Sequence, residues 1–437
     1  MGTSVTRARV RRLAQLRGHP VVRNAGALYA VQAARYLIPL ALVPFLARVL
    51  RPESFGRLAA AQSLAASLGV AAEYGFIFSG TREIARHRDA DSMGLTVASV
   101  LGAKLLLATC IAAIGLILLL SVAPLRSAPA FLWGACFLAV AQAASPAWFF
   151  QGIEQMALEC TIELFGAAAG AGAVFTFVRQ PRQAASVLFL VGAGALGAAL
   201  ANYVRVYRRV HLKHPRWRPS IGMLQRGFAM FFLRGSVALY TVANVFLLGL
   251  FLPPGVVADF AGAEKIVRAC IGFLNPSNQA LFPRMSHLMS HNRPRGLLWA
   301  RRVLALYASA AAAGTAILYW TAPLLVRLAL GPGYSAAVPL LHGLSLLIFP
   351  IAVSNVLALQ IMLPLGMDWA VNTILAGAAA INISAMLVLV PRLGAEGMVW
   401  AVVASEAVVA IAMAVLVLRS GALTGGKESG SGLTAGA

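Results

Sequence analysis

Apolar runs of about 20 residues or more recur along this chain from one end to the other, each long enough to cross ~30 Å of hydrocarbon as a helix. No water is available at that depth, so the backbone must satisfy itself, which leaves helices or closed barrels. The runs are continuous and lack the alternating ~10-residue pattern of barrel strands. Only 11% of the 437 residues are charged, against about 25% in soluble domains. The fold class is therefore expected to be an all-α polytopic membrane protein.

Twelve spans are expected, at about 23–50, 57–80, 93–121, 128–150, 157–178, 183–206, 226–252, 256–282, 299–327, 333–363, 367–390 and 395–419. Short connections such as Leu252-Pro253-Pro254-Gly255 and Leu365-Gly366-Met367-Asp368 make neighbouring helices antiparallel. A long basic loop, RVYRRVHLKHPRWRPSIGMLQR, divides the spans six and six. The organisation read from this is a basic cytoplasmic N-terminus (1–22), an N-lobe (23–206), a basic cytoplasmic linker (207–225), a C-lobe (226–419) and a disordered cytoplasmic tail (420–437). Trp217, Ile221, Met223 and Leu224 in or beside the linker suit lipid headgroups. The linker can equally be a flexible tie between lobes.

The 36 Lys and Arg residues sort by loop. Counted alternately, one set of ends and connections holds 23 and the other 8. The positive-inside rule then places both termini in the cytoplasm. It also accounts for the net charge of +22, which in a soluble protein would suggest nucleic acid; no nucleic-acid partner is expected. The basic start before Asn24 imitates a signal peptide, but the run that follows is too long for one and is read as retained.

Five cations lie well inside the spans, away from the ends counted with the loops: Arg35, Lys104, Arg234, Lys265 and Arg268. A cation at mid-membrane costs roughly 2.5–3.5 kcal/mol even on insertion scales, so five facing lipid would cost on the order of 12–18 kcal/mol. They must face the bundle interior or water. One outcome is internal ion pairing with Glu73, Glu159, Glu163, Glu264 or Glu406; Glu264 sits one helical turn before Arg268. The other is a cationic cavity for an anionic ligand, since the planar guanidinium binds two phosphate oxygens at once. Glu73, Glu264 and Glu406 are candidates for ion coupling or charge pairing.

Candidate gate or hinge positions are Pro39, Pro44, Gly56, Gly75 and Pro276. Membrane helices also tolerate proline without moving. The small residues of Gly166-Ala167-Ala168-Ala169-Gly170-Ala171-Gly172 and Gly192-Ala193-Gly194 favour close helix packing. Cys110, Cys136, Cys160 and Cys270 read as small buried hydrophobes. The P-loop lysine signature is missing, and His287 and His291 lie among arginines, so no cofactor, metal or catalytic residue is expected.

An internal echo relates the halves. Leu50 to Leu64 lies over Leu252 to Ile266 at a fixed offset, with Leu50 on Leu252, Pro52 on Pro254, Ala61 on Ala263 and Leu64 on Ile266. Each piece joins the first two spans of a half. The expected repeat is parallel, with a pseudo-two-fold axis along the membrane normal.

The stretch from Ala34 to Gly56, a proline-bearing helix followed by Leu50-Arg51-Pro52-Glu53-Ser54-Phe55-Gly56, resembles the start of Wzx-type polysaccharide-biosynthesis flippases of the multidrug/oligosaccharidyl-lipid/polysaccharide superfamily. So do Glu73-Tyr74-Gly75-Phe76, Thr81-Arg82-Glu83-Ile84-Ala85 and Ala263-Glu264-Lys265-Ile266. These motifs cover about residues 23–107 and 226–285. The resemblance implies a V-shaped pair of six-helix lobes around a central cationic cavity. It implies a flippase, not an enzyme, in the bacterial inner membrane. Its cargo would be a polyprenyl-diphosphate-linked oligosaccharide for O-antigen, capsule or exopolysaccharide, with membrane lipids, a polysaccharide polymerase and chain-length machinery as further partners. Arg35, Lys104, Arg234, Lys265 and Arg268 would form the substrate-binding cavity. Competing readings are a MATE-like drug/cation antiporter, a lipid II flippase and an integral-membrane glycosyltransferase or polymerase. The last usually needs a catalytic acid pair in a large extramembrane loop, and no loop here is long enough.

Overall fold

The computed structural model describes residues 20–87, 89–272 and 275–420, and among these all regular structure is helical. The basic N-terminus and the Gly/Ser-rich tail expected at the chain ends lie largely outside the described residues.

In chain order the helices are α1 (Pro20–Glu73), α2 (Phe76–Arg86), α3 (Ala90–Ser121), α4 (Pro129–Ala143), α5 (Ala147–Gly152), α6 (Met156–Phe177) and α7 (Ser186–Tyr207). After the linker come α8 (Trp217–Thr241), α9 (Asn244–Phe251), α10 (Pro254–Gly272), α11 (Asn275–His291) and α12 (Arg293–Ala329). The last are α13 (Ala337–Ser345), α14 (Ile348–Val356), α15 (Asp368–Leu393) and α16 (Ala395–Arg419). Between α14 and α15 the chain winds into a π-helical turn, Leu357–Met362, and a 3₁₀ turn, Leu363–Leu365.

Eight stretches among the described residues are long and apolar enough to cross a membrane. They begin at Ala90, Pro129, Met156, Ser186, Arg293, Ala337, Asp368 and Ala395. The other four expected spans fall on α1 (the first two), on α8 with α9, and on α10 with α11. Asp259, Glu264, Lys265 and Arg268 make the fourth of these the most charged of the twelve. Helix starts at Trp217, inside the expected linker.

The breaks have local causes. Within α1, Arg51 takes φ 59° and ψ 166°, so two helices meet there. It precedes Pro52, and a residue before proline is pushed out of the α region. At Pro39 and Pro44 the backbone stays helical. The next break follows Glu73, where Tyr74 (φ 50°) and Gly75 (φ 76°) are both left-handed. The Glu73 carboxylate accepts from Gly75 N at 3.1 Å and Ile77 N at 2.8 Å, and so caps α2. A third break separates α4 from α5 at Ser145-Pro146.

The helices group into two compact units, 1–262 with 327–334 and 263–326 with 335–437. In the first, α1 packs on α4, α6 and α9, while α6 packs along α7. Gly166 and Gly194 make the latter contact possible. A Cβ on either would run into the other's carbonyl oxygen, so the backbones touch. α2 lies against α5 in a core of Phe76, Ile84, Trp148, Phe149 and Phe150. Thr81 donates to the Trp148 carbonyl at 3.0 Å. In the second unit α16 packs on α13, α14 and α15.

The four cysteines form no disulfide among the described residues; Cys136 is buried, Cys110 is exposed, and Cys160 and Cys270 are half-buried. The expectation of four buried thiols is corrected accordingly. An apolar helix face turned to lipid accommodates Cys110 as well as a core does.

Candidate functional site

Among the described residues, two groups of charged side chains inside the spans stand out, one in each unit. In the first unit Lys104, on α3, is 9% exposed. Its Nζ donates to the Ser145 carbonyl at 2.8 Å. That carbonyl is available because of the break at Pro146: Phe149 N bonds the Pro146 carbonyl at 2.9 Å instead of reaching back to Ser145. The Ser145 hydroxyl in turn donates to the Glu163 carboxylate on α6. Glu73 and Glu163 are the two carboxylates whose charge reaches Lys104. The sequence flagged each of these residues separately. Ser145, the residue that joins them, was missed, although the Ser-Pro pair in an apolar run marks a helix break.

In the second unit the charges lie on α10 and α16. Arg268 donates to Glu264 at 2.6 Å across one turn of helix. Glu264 is 12% exposed at its side chain, whereas Arg268 keeps 47%. Glu406 on α16 is the second carboxylate that acts on Arg268, and Lys265 feels Glu264. Two cations and two carboxylates therefore balance within this cluster, and an isolated charge at that depth is avoided.

Arg35 lies on α1 and Arg234 on α8, but their side chains fall outside the described residues. The same holds for Pro276 in the first turn of α11. Gly75 is the left-handed residue that starts α2. Gly56 is buried where the two echo segments meet: a Cβ there would overlap the Pro254 carbonyl and lie 3.0 Å from Ala258 N. At the offset of the echo, Ala258 is the counterpart of Gly56 itself.

The second unit holds a polar feature that sequence periodicity could not show. The π-helical turn carries Gln360, fully buried, whose amide donates to the Asn278 carbonyl of α11 at 3.1 Å. No group of three or more metal-ligating side chains occurs among the described residues.

The profile of the family described as "Polysaccharide biosynthesis protein" matches residues 21–289, more than half of the chain. The chain belongs to that family. Among relatives of the polysaccharide biosynthesis protein family, the "Putative O-antigen transporter" of Escherichia coli (strain K12) is 31% identical over 350 residues. That match covers 78% of this chain and 83% of the relative. A protein of the same name from Shigella dysenteriae is 28% identical over 403 residues, 90% of this chain and 98% of the relative. Among solved structures, an inward-facing MATE family multidrug transporter of the MOP superfamily superposes with a TM-score of 0.66 at 14% identity. It spans 89% of this chain and 99% of its own. The lipid II flippase MurJ in an inward closed conformation gives 0.65 at 9% identity, covering 91% and 87%. This polysaccharide biosynthesis protein is thus an all-helical multi-pass membrane protein with a MATE- and MurJ-like fold.

Proposed function

We propose that this protein is an O-antigen-type flippase, which carries a polyprenyl-diphosphate-linked oligosaccharide from the cytoplasmic to the periplasmic leaflet by alternating access. It sits in the bacterial inner membrane with both termini in the cytoplasm. Twelve helices form two six-helix lobes related by a pseudo-two-fold along the membrane normal, around a central cavity. The arms of α1, together with α8 to α11, supply the spans beyond the eight that stand out by hydropathy. The loop charges support the orientation, and the echo between Leu50–Leu64 and Leu252–Ile266 supports the symmetry. The names of the curated relatives support the cargo.

One observation carries the site. Arg268 is a deep guanidinium with about half its side chain accessible, held by a carboxylate that a diphosphate can replace. Exchanging one anion for another keeps the guanidinium paired, and Lys265 remains beside Glu264 when Glu264 is displaced. Arg35, Arg234 and Lys265 line the same path in this reading, and the Lys104, Glu73 and Glu163 cluster, which holds one cation to two carboxylates, tends toward ion coupling.

The test is complementation in a bacterium deleted for its own flippase. Arg268→Ala should abolish surface polymer and accumulate the lipid-linked precursor, while Arg268→Lys retains part of the export. A tagged immunoblot of the membrane fraction controls for insertion. Wild-type export from Arg268→Ala, Arg35→Ala, Arg234→Ala and the triple variant would overturn the assignment.

A further inference from the structure

The first unit contains a cavity of about 420 Å³. It lies between the second arm of α1, the turn after α3, α9 and the Leu252–Pro254 connection. Its volume falls in the ~300–1,000 Å³ range of small-molecule pockets. Leu64, Leu132, Phe246 and Leu250 supply apolar wall, and Arg57 is the only ionisable residue among those lining it. Arg57 is exposed, and no carboxylate lines the space.

We infer that this cavity binds one acyl chain of an anionic glycerophospholipid, with the lipid phosphate at Arg57. The apolar wall takes hydrocarbon, and the guanidinium at its edge takes two oxygens of the phosphodiester. The missing carboxylate argues against a zwitterionic headgroup, whose ammonium would find no partner here. The volume argues against a polyprenyl tail, which is several times longer than an acyl chain. The position gives the site a consequence. Both echo segments line the cavity, through Gly56 and Ala60 on one side and Pro254 and Val257 on the other. A chain lodged there touches both, so any movement of one segment past the other changes the fit of the lipid. The inference stands apart from the nature of the cargo, because no cation of the two charge clusters takes part.

The full-length protein, purified in detergent, would be exposed to phosphatidylglycerol with a diazirine in one acyl chain, irradiated and digested. Label is expected in peptides holding Leu125–Leu132 and Phe246–Phe251. Arg57→Ala should lower that label at least five-fold, with Arg57→Lys restoring part of it. Because Arg57 is exposed, the change leaves the core intact. Ala60→Leu fills the cavity and should remove the label, with monodispersity in gel filtration as the folding control. Label elsewhere, equal label in Arg57→Ala, or unlabelled polyprenyl phosphate displacing the probe at lower concentration than phosphatidylglycerol would each overturn the inference.

Discussion

Gly56 packs so closely on Pro254 that a single added methyl would overlap the proline's carbonyl oxygen. Backbone therefore meets backbone where the two echo segments cross, and Ala258 N of the same helix is also within 3.0 Å of the added carbon. Carbonyl and helix backbone cannot swing aside as a side chain can. Gly56→Ala should destabilise the protein by about 1–3 kcal/mol, the usual cost of overpacking, and Gly56→Val by more. Thermal unfolding of the purified protein checks the order. An alanine variant that melts at the wild-type temperature would mean that the segments are not held in this contact.

Lys104 and its carboxylates form a unit whose members cannot be removed singly without loss. Lys104→Met takes away the buried cation that the half-buried Glu73 and Glu163 face, and should cost less than the roughly 3–5 kcal/mol of a fully buried pair. Adding Glu163→Gln to Lys104→Met should recover part of the loss, since the remaining charge falls. A double-mutant cycle on thermal stability measures this coupling. Strict additivity of the two substitutions would show that the groups do not interact.

The length and charge of most spans were legible in the sequence because hydrocarbon thickness and the loop bias act on every residue of a segment. The breaks inside spans were less legible. Pro39, Pro44 and Arg51-Pro52 carry the same local signal, yet only Arg51 leaves the helix. Proline's lost hydrogen bond can be made good by neighbours, and what those neighbours are is a tertiary fact. Glu73 was visible as an intramembrane acid, but its role as the cap of α2 depends on Tyr74 and Gly75 turning left-handed. The π-helical turn at Leu357–Met362 was not visible, because one extra residue in a largely apolar run leaves no mark on periodicity. For Arg268 two alternatives stood open in the sequence, a pair with Glu264 or an anion site. The observed pair, with about half of the Arg268 side chain accessible, is compatible with both, since a carboxylate can hold the place of a phosphate.

Asp89 offers a pH test outside the membrane. It precedes α3 and accepts from Ser92 N at 2.8 Å, and this bond to the charged form holds its carboxyl below the usual value of 3.8. A depressed folded pKa gives stability that is present above the unfolded value and lost as pH falls through the folded one. Protection of the Ser92 amide, taken relative to its intrinsic exchange rate at each pH, should therefore fall only as pH drops below about 4. Asp89→Asn keeps a capping oxygen without titrating and should show no such step. A step of equal size in both proteins would assign it to another group.

The reciprocal approach of Gly166 and Gly194 makes a prediction about two helices at once. Each glycine faces the other's carbonyl, so substituting either one separates α6 and α7 along the same line. Once Gly166→Leu has forced the helices apart, Gly194→Leu should cost less than it does alone. Gly172 on α6 has open space where its Cβ would be and serves as the control. Gly172→Leu should leave thermal stability within about 0.5 kcal/mol of wild type, the range of ordinary surface changes. Gly166→Leu should lower it by about 1–3 kcal/mol or more, as overpacking does. If Gly172→Leu and Gly166→Leu cost the same, small residues here serve helix formation in general and not this contact.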